Sequence, residues 1–134
     1  MCYMVYLASD TQLKTIPWNE KSPAFHVEEV TADHLVRMVL NKKYVYYIGS
    51  HENCGCGFNY VLADNDPQAS EIESIAQFRE YLSDATKDQT VHVYIRWAGT
   101  ENLPPEQEFK VDVSHFAPGT WKFDEGNFFE VSHE

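Results

Sequence analysis

Residues 91–97 read VHVYIRW, and hydrophobic side chains occupy every second position of this stretch. Such alternation is typical of a β-strand with one buried face, because successive side chains of a strand point to opposite sides of the sheet. We therefore predict a strand over residues 90–97, with Val91, Val93, Ile95 and Trp97 on its buried face.

Other stretches are rich in apolar, β-branched and aromatic residues, which favour strands. The strands predicted on this basis cover residues 2–9, 24–30, 44–48, 58–63 and 108–113. The run 44–48 is apolar throughout and predicts a central strand. Residues 121–123 and 128–131 predict a hairpin around the turn at residues 125–127. Residues 10–23, 64–69 and 99–106 predict loops or turns.

Two stretches show helical spacing of their apolar residues. Residues 31–41 predict a helix that begins at Thr31 as its N-cap. Residues 70–87 predict a second helix, in which Ser70 and Glu73 form a capping box. With 134 residues, of which 43% are hydrophobic, we expect a single α+β domain: a mixed sheet of about five to seven strands with two helices.

The chain is acidic, with a net charge of −11 and a pI near 4.8. Residues 101–134 hold eight acidic residues against two lysines, a net of −6. Such a surface repels phosphate groups, so we expect neither nucleic acid nor an anionic membrane as a partner. No apolar run is long enough to span a bilayer and no basic leader is present. We therefore expect a cytoplasmic protein.

The chemistry is concentrated in residues 49–58, which read GSHENCGCGF. His51, Cys54 and Cys56 lie within six positions of one another, after a predicted buried strand. Thiolates and imidazole are the ligands that zinc prefers, and they also suit copper(I). Gly55 and Gly57 allow the backbone to turn between the ligands. We therefore predict a metal site, with zinc as the first candidate.

A structural zinc site usually has four ligands, and this segment offers three. Cys2 is the first candidate for the fourth ligand, provided that the first strand lies beside the strand at 44–48. His26 is the second candidate. If the fourth position stayed open, a catalytic or transport metal would be indicated instead. Considered by itself, Cys2 is predicted to be a buried core residue.

Two other functions remain open. Cys54 and Cys56 could form a labile disulfide in a thiol redox protein or sensor, with His51 lowering the pKa of the attacking thiol. Alternatively, the acidic last quarter and the aromatic residues Trp121, Phe123, Phe128 and Phe129 could form a surface for a protein partner or a homo-oligomer. The sequence specifies neither a substrate nor a reaction, so enzymatic activity is left open.

The segment Ser50-His51-Glu52, followed by Cys54-Gly55-Cys56-Gly57-Phe58, resembles one found in a family of small bacterial proteins with no assigned activity. The opening residues 1–10, MCYMVYLASD, share this resemblance. The resemblance covers about the first half of the chain. It implies a bacterial cytoplasmic setting and assigns no role to any residue.

Overall fold

The computed structural model describes residues 2–18, 25–59 and 69–134. These residues form one six-stranded mixed sheet and one α-helix, which confirms the predicted α+β class. The strands and the helix are β1 (Tyr3–Ser9), β2 (His26–Glu29), β3 (Tyr44–Gly49), α1 (Ala69–Ala85), β4 (Val91–Trp97), β5 (Gln107–Asp112) and β6 (Asn127–Ser132). Six of the predicted strands correspond to β1–β6, the strand predicted at residues 128–131 being β6.

The strands lie across the sheet in the order β2-β3-β1-β4-β6-β5. Every neighbouring pair is antiparallel except β5 and β6, which are parallel. β1 and β3 are therefore interior strands, and their nearly continuous apolar sequences fit burial on both faces. β1 therefore lies beside β3, which is the condition under which Cys2 was predicted to be the fourth ligand beside His51, Cys54 and Cys56.

One face of the sheet packs against α1 and forms the larger core. Val5, Val93 and Phe129 lie on this face, and Phe78 of α1 packs against them. Phe58 and Trp121 complete a group of ring contacts with Phe78, at centroid separations of 5.5–5.6 Å. Among the described residues, no helix has both the length and the apolar composition needed to cross a membrane.

The opposite face is covered by a short 3₁₀ helix, Leu35–Met38, where the sequence predicted an α-helix over 31–41. The backbone of His34 is extended, and its side chain caps the helix by accepting a hydrogen bond from the Val36 amide. An extended residue here prevents a helix that starts at Thr31. Val36 and Leu40, four residues apart, nevertheless pack into the second core, whereas Leu35, which shares the same helical spacing, is exposed.

Three local predictions differ from the structure. Residues 121–123 are not a strand, and β6 pairs with β4 and β5, so the predicted hairpin is wrong. α1 already includes Ala69, so Ser70 lies inside the helix and is not its N-cap. Of the predicted strand at 58–63, Phe58 belongs to a second 3₁₀ helix, Gly55–Phe58, and residues 60–63 lie outside the described part.

The four aromatic residues near the end of the chain do not form a common surface. Phe129 is inaccessible and Trp121 is 8% exposed, because both belong to the core beneath α1. Phe123 packs on that same core, whereas Phe128 packs on the core of the opposite face. The particular interaction surface expected from the sequence is therefore absent, while the existence of a protein partner stays a prediction.

β4 departs from its predicted pattern in two ways: Tyr94 and Arg96, on the face predicted to be exposed, are buried, and Trp97, predicted to be buried, is exposed. Arg96, on the face predicted to be polar and exposed, is only 3% exposed. Its guanidinium donates to the Tyr94 hydroxyl at 2.7 Å and to Glu125 Oε1 at 2.7 Å. It also donates to the Pro104 carbonyl at 2.5 Å and contacts Glu106 at 3.3 Å. The buried guanidinium of Arg96 thus holds the loop that follows β4 against the sheet.

Replacing Arg96 with methionine should lower the free energy of unfolding by roughly 2–4 kcal/mol, because the Pro104 carbonyl and the Glu125 carboxylate lose their donors. Urea denaturation measures this. The matched control is Lys110→Met, which removes a side chain that is 89% exposed and 4.0 Å from its carboxylate partner. We expect the control to change stability by less than about 0.5 kcal/mol. Equal losses in the two variants would contradict the role given to Arg96.

Candidate metal centre

The site lies where the beginning of β1 meets the end of β3. Because these strands are antiparallel and pair Val5 with Ile48, the residue before β1 and the residues after β3 emerge at the same end of the sheet. Cys2 immediately precedes β1, and Cys54 and Cys56 follow β3 in the chain. Residues separated by about fifty positions in sequence are thereby placed side by side.

A tight turn reverses the chain directly after β3. The Ser50 amide donates to the Cys54 carbonyl at 3.0 Å, and the Asn53 amide donates to the Ser50 carbonyl at 2.9 Å. Asn53 has a φ of 64°, in the left-handed region that asparagine tolerates better than most residues. The buried Ser50 hydroxyl donates to the Cys54 carbonyl at 2.5 Å and accepts from the Glu52 and Gly57 amides.

Gly55 allows the turn to lie directly against β1. A Cβ atom at this position would be 2.8 Å from Val5 Cγ2 and 2.9 Å from the Tyr3 carbonyl oxygen, both too close for a side chain. Three residues later, Phe58 inserts into the core beneath α1. Close approach at Gly55 and anchoring at Phe58 together hold Cys54 and Cys56 at the start of β1.

The structure brings the sulphur atoms of Cys2, Cys54 and Cys56 within 4.8 Å of one another. All three are free thiols; Cys2 is exposed and the other two are half-buried. The three cysteines are therefore close enough to hold one metal ion. The prediction that Cys2 is a buried core residue is wrong, because β1 begins at Tyr3 and leaves Cys2 at the open end of the sheet.

The sulphur atoms of Cys56 and Cys54 lie in different surroundings. The Tyr3 amide donates a hydrogen bond of 3.2 Å to Cys56 Sγ. Burial raises the pKa of Cys54 to about 12, and the neighbouring Cys56 and Cys2 thiols contribute further. This shift is opposite to the one that an activated redox thiol requires.

Tyr47 contacts the turn that carries Cys54. Its pKa is raised, first by burial and then by electrostatic interaction with Cys54, Cys2 and Cys56. Its hydroxyl donates to the Asn53 carbonyl at 2.7 Å, so the side chain ties the turn to β3. The hydroxyl stabilises the conformation that presents Cys54 and Cys56.

His51 is directed towards α1. Its Nδ1 lies 2.8 Å from the Ser74 hydroxyl, and its backbone amide donates to the same oxygen at 3.1 Å. Ser74 is buried. Among the described residues, the group close enough to hold a metal consists of the three cysteines, and His51 is not one of its members. In this arrangement His51 attaches the turn to the helix.

His26 also lies outside the cysteine group. It pairs across the strands with Gly49, where a Cβ atom would be 2.2 Å from its Nδ1, so the ring fills the space left by the glycine. Trp18 and Tyr47 each contact the ring at a centroid distance of 5.4 Å. Burial lowers the pKa of His26, as expected for a neutral imidazole packed among rings.

Comparison of the chain with protein-family models, with curated proteins and with solved structures gives no match. The resemblance suggested by the residues around Cys54 therefore stays a prediction, and the chemistry of the site rests on its geometry.

Three residues that position the site were not assigned roles from the sequence: Ser50, Ser74 and Tyr47. Serine after a strand-ending glycine is a signal for a turn, and it could have indicated Ser50. Ser74 and Tyr47 carry no comparable signal, because their partners lie 23 and 6 positions away in irregular backbone.

Substituting Ser50 with alanine should lower the free energy of unfolding of the metal-free protein by roughly 1–3 kcal/mol, since the Glu52 amide and the buried Gly57 amide lose an acceptor. Urea denaturation in the presence of a chelator provides the measurement. Ser132→Ala is the control, because Ser132 is exposed and its hydroxyl makes one long hydrogen bond of 3.4 Å. If Ser50→Ala were as stable as the control, the hydroxyl would not organise the turn.

Proposed function

We propose that this protein binds a soft transition-metal ion through Cys2, Cys54 and Cys56, with zinc as the first candidate and copper(I) as the second. The observation that carries the proposal is the approach of the three sulphur atoms to within 4.8 Å. Sulphur ligands select soft metals over magnesium or calcium.

Binding of a zinc ion would require little movement of the three sulphur atoms. A tetrahedral zinc ion with Zn–S bonds of about 2.3 Å places its thiolates about 3.8 Å apart. Contraction of the cluster from at most 4.8 Å by about 1 Å therefore suffices. Cys2 precedes the first strand and is exposed, so it can make this movement without disturbing the core.

Charge also supports a cation at this place. Metal binding displaces the thiol protons, and the charge of the bound cation offsets the repulsion between the thiolates that form. The chain as a whole carries a charge of −11, which attracts cations and repels anions. Binding would join β1 to the turn after β3, so metal affinity and fold stability should be coupled.

The redox alternative has weaker support. The free thiols are close together, as a disulfide-forming pair must be. However, burial raises the pKa of Cys54, and the imidazole of His51 is engaged by Ser74 on the helix. A thiol that is protonated at neutral pH is a poor nucleophile.

Cobalt(II) provides the test, because its thiolate complexes absorb light in proportion to the number of sulphur ligands. Protein purified without a metal-affinity tag should bind one equivalent of cobalt(II), and zinc should displace it. Each of Cys2→Ser, Cys54→Ser and Cys56→Ser should weaken binding by about 100-fold or more and reduce the charge-transfer absorption.

His51→Gln and His26→Gln serve as matched controls, because both histidines were candidate ligands and neither lies in the cysteine group. We expect these variants to bind cobalt(II) with affinity within about threefold of the parent, because the His51→Gln variant keeps the backbone hydrogen bond from residue 51 to Ser74. Failure of the parent to bind any soft metal would refute the proposal. A loss in either histidine variant equal to that in the cysteine variants would refute the ligand set.

A further inference from the structure

Cys2 is the exposed member of the cysteine cluster, whereas Cys54 and Cys56 are half-buried. Its backbone is held in place, because the Cys2 carbonyl accepts a hydrogen bond of 3.0 Å from the Ala98 amide. Its side chain precedes β1 and belongs to neither core. A solute that approaches the cluster from solution therefore meets the sulphur of Cys2 first, and this sulphur can move by side-chain rotation.

Cys56 lies directly beside the backbone of Cys2. Its Sγ atom accepts a hydrogen bond of 3.2 Å from the amide nitrogen of Tyr3, which is the atom bonded to the carbonyl carbon of Cys2. The sulphur atoms of Cys2 and Cys56 are within 4.8 Å of each other. A disulfide has an S–S bond of about 2.05 Å, so closure requires a movement of about 2.7 Å or less. The exposed side chain of Cys2 can make that movement.

The backbone restrains Cys54 and Cys56 relative to each other. The Cys54 carbonyl accepts hydrogen bonds from both the amide and the hydroxyl of Ser50. Cys56 belongs to the 3₁₀ helix Gly55–Phe58, whose last residue packs in the core beneath α1. A disulfide between these two cysteines would close a ring through one intervening residue inside this turn. A disulfide from Cys2 to Cys56 would join segments more than fifty residues apart, and a longer closed loop gives more stabilisation.

We infer that the metal centre is sensitive to peroxide: a hydroperoxide oxidises Cys2 and Cys56 to a disulfide, and the metal ion is released. This inference rests on the metal-binding function proposed above. The thiols act here as ligands that an oxidant removes, and not as a catalytic dithiol. Once two of the three sulphur ligands are lost, Cys54 is left as a single ligand, which is too few to retain zinc.

The reaction, written for hydrogen peroxide, consumes two thiolates and two protons. The Cys2 thiolate attacks the peroxide, and an S–O bond forms as the O–O bond breaks. The Cys56 thiolate then attacks the Cys2 sulphur, and the S–S bond forms as the S–O bond breaks. Each step releases a hydroxide ion that solvent protonates to water. The two sulphur atoms together lose two electrons, which the two peroxide oxygens gain.

The test uses the full chain loaded with zinc and treated with hydrogen peroxide, and a chromogenic chelator measures the zinc released. About one equivalent of zinc should appear as about one disulfide forms, whereas untreated protein should keep its zinc. Trypsin should then yield residues 1–14 linked covalently to residues 44–79. Alkylation before digestion should label Cys54, which tandem mass spectrometry locates. A phosphine reductant should restore zinc binding.

Two variants identify the partner of Cys2 independently of metal affinity, because both are oxidised in the metal-free form with a chelator present. Cys54→Ser retains both reacting sulphur atoms and should form the link at a rate within about twofold of the parent. Cys56→Ser should form any link to Cys2 about tenfold more slowly, because the sulphur that contacts the Tyr3 amide is then absent.

The outcomes distinguish this inference from the function on which it rests. If the protein binds no zinc, the metal-binding proposal fails and the inference fails with it. If zinc binds and peroxide does not release it, only the inference is overturned. A disulfide between Cys54 and Cys56, a disulfide between two protein molecules, or equal rates of linking in Cys54→Ser and Cys56→Ser would each overturn it as well.

Discussion

The position of the cysteine cluster depends on the antiparallel pairing of β1 with β3. This pairing places the residue before the first strand beside the turn that follows the third, and it does so in a fixed register from Val5 and Ile48 to Ser9 and Tyr44. A slip of one residue would exchange the two faces of β1. Val5 and Leu7 would then leave the core beneath α1, so the hydrophobic effect maintains the register that brings the cysteines together.

Local backbone chemistry converts this proximity into a cluster of sulphur atoms. Gly55 lets the turn touch β1, Ser50 satisfies three backbone groups of the turn, and Phe58 anchors it in the core. The hydrogen bonds of Tyr47 and His51 restrain the turn from two further directions. Each of these contacts is independent of a metal, so the ligands are partly organised before any ion binds, which lowers the entropic cost of binding.

Sequence patterns predicted the sheet better than the elements that cover it. β1, β3 and β4 were recognisable because their buried residues are contiguous or alternate regularly. Residues 31–41 show helical spacing, but the extended backbone at His34 confines the helix to the short 3₁₀ segment Leu35–Met38. The spacing of apolar residues does not reveal where the backbone becomes extended. Trp121 was assigned to a strand of the predicted hairpin, whereas it packs against Phe58 and Phe78 from distant parts of the chain.

The same reasoning applies to the site. Cys54 and Cys56 could be identified from their spacing, and Cys2 became a candidate through one assumption about strand pairing that the structure meets. The sequence could not decide between cysteine and histidine ligands. His51 is two residues from the turn's asparagine and appears as suitable as the cysteines, but its partner Ser74 lies 23 residues away on a helix. Only the assembled tertiary structure brings that competing partner into range.

X-ray absorption spectroscopy of the zinc-loaded protein tests most directly whether the three cysteines share one ion. The spectrum should fit three sulphur atoms at about 2.3 Å, together with one lighter oxygen or nitrogen atom at about 2.0–2.2 Å. A shell with at most one sulphur atom, or with two histidine nitrogens, would contradict a centre built from Cys2, Cys54 and Cys56.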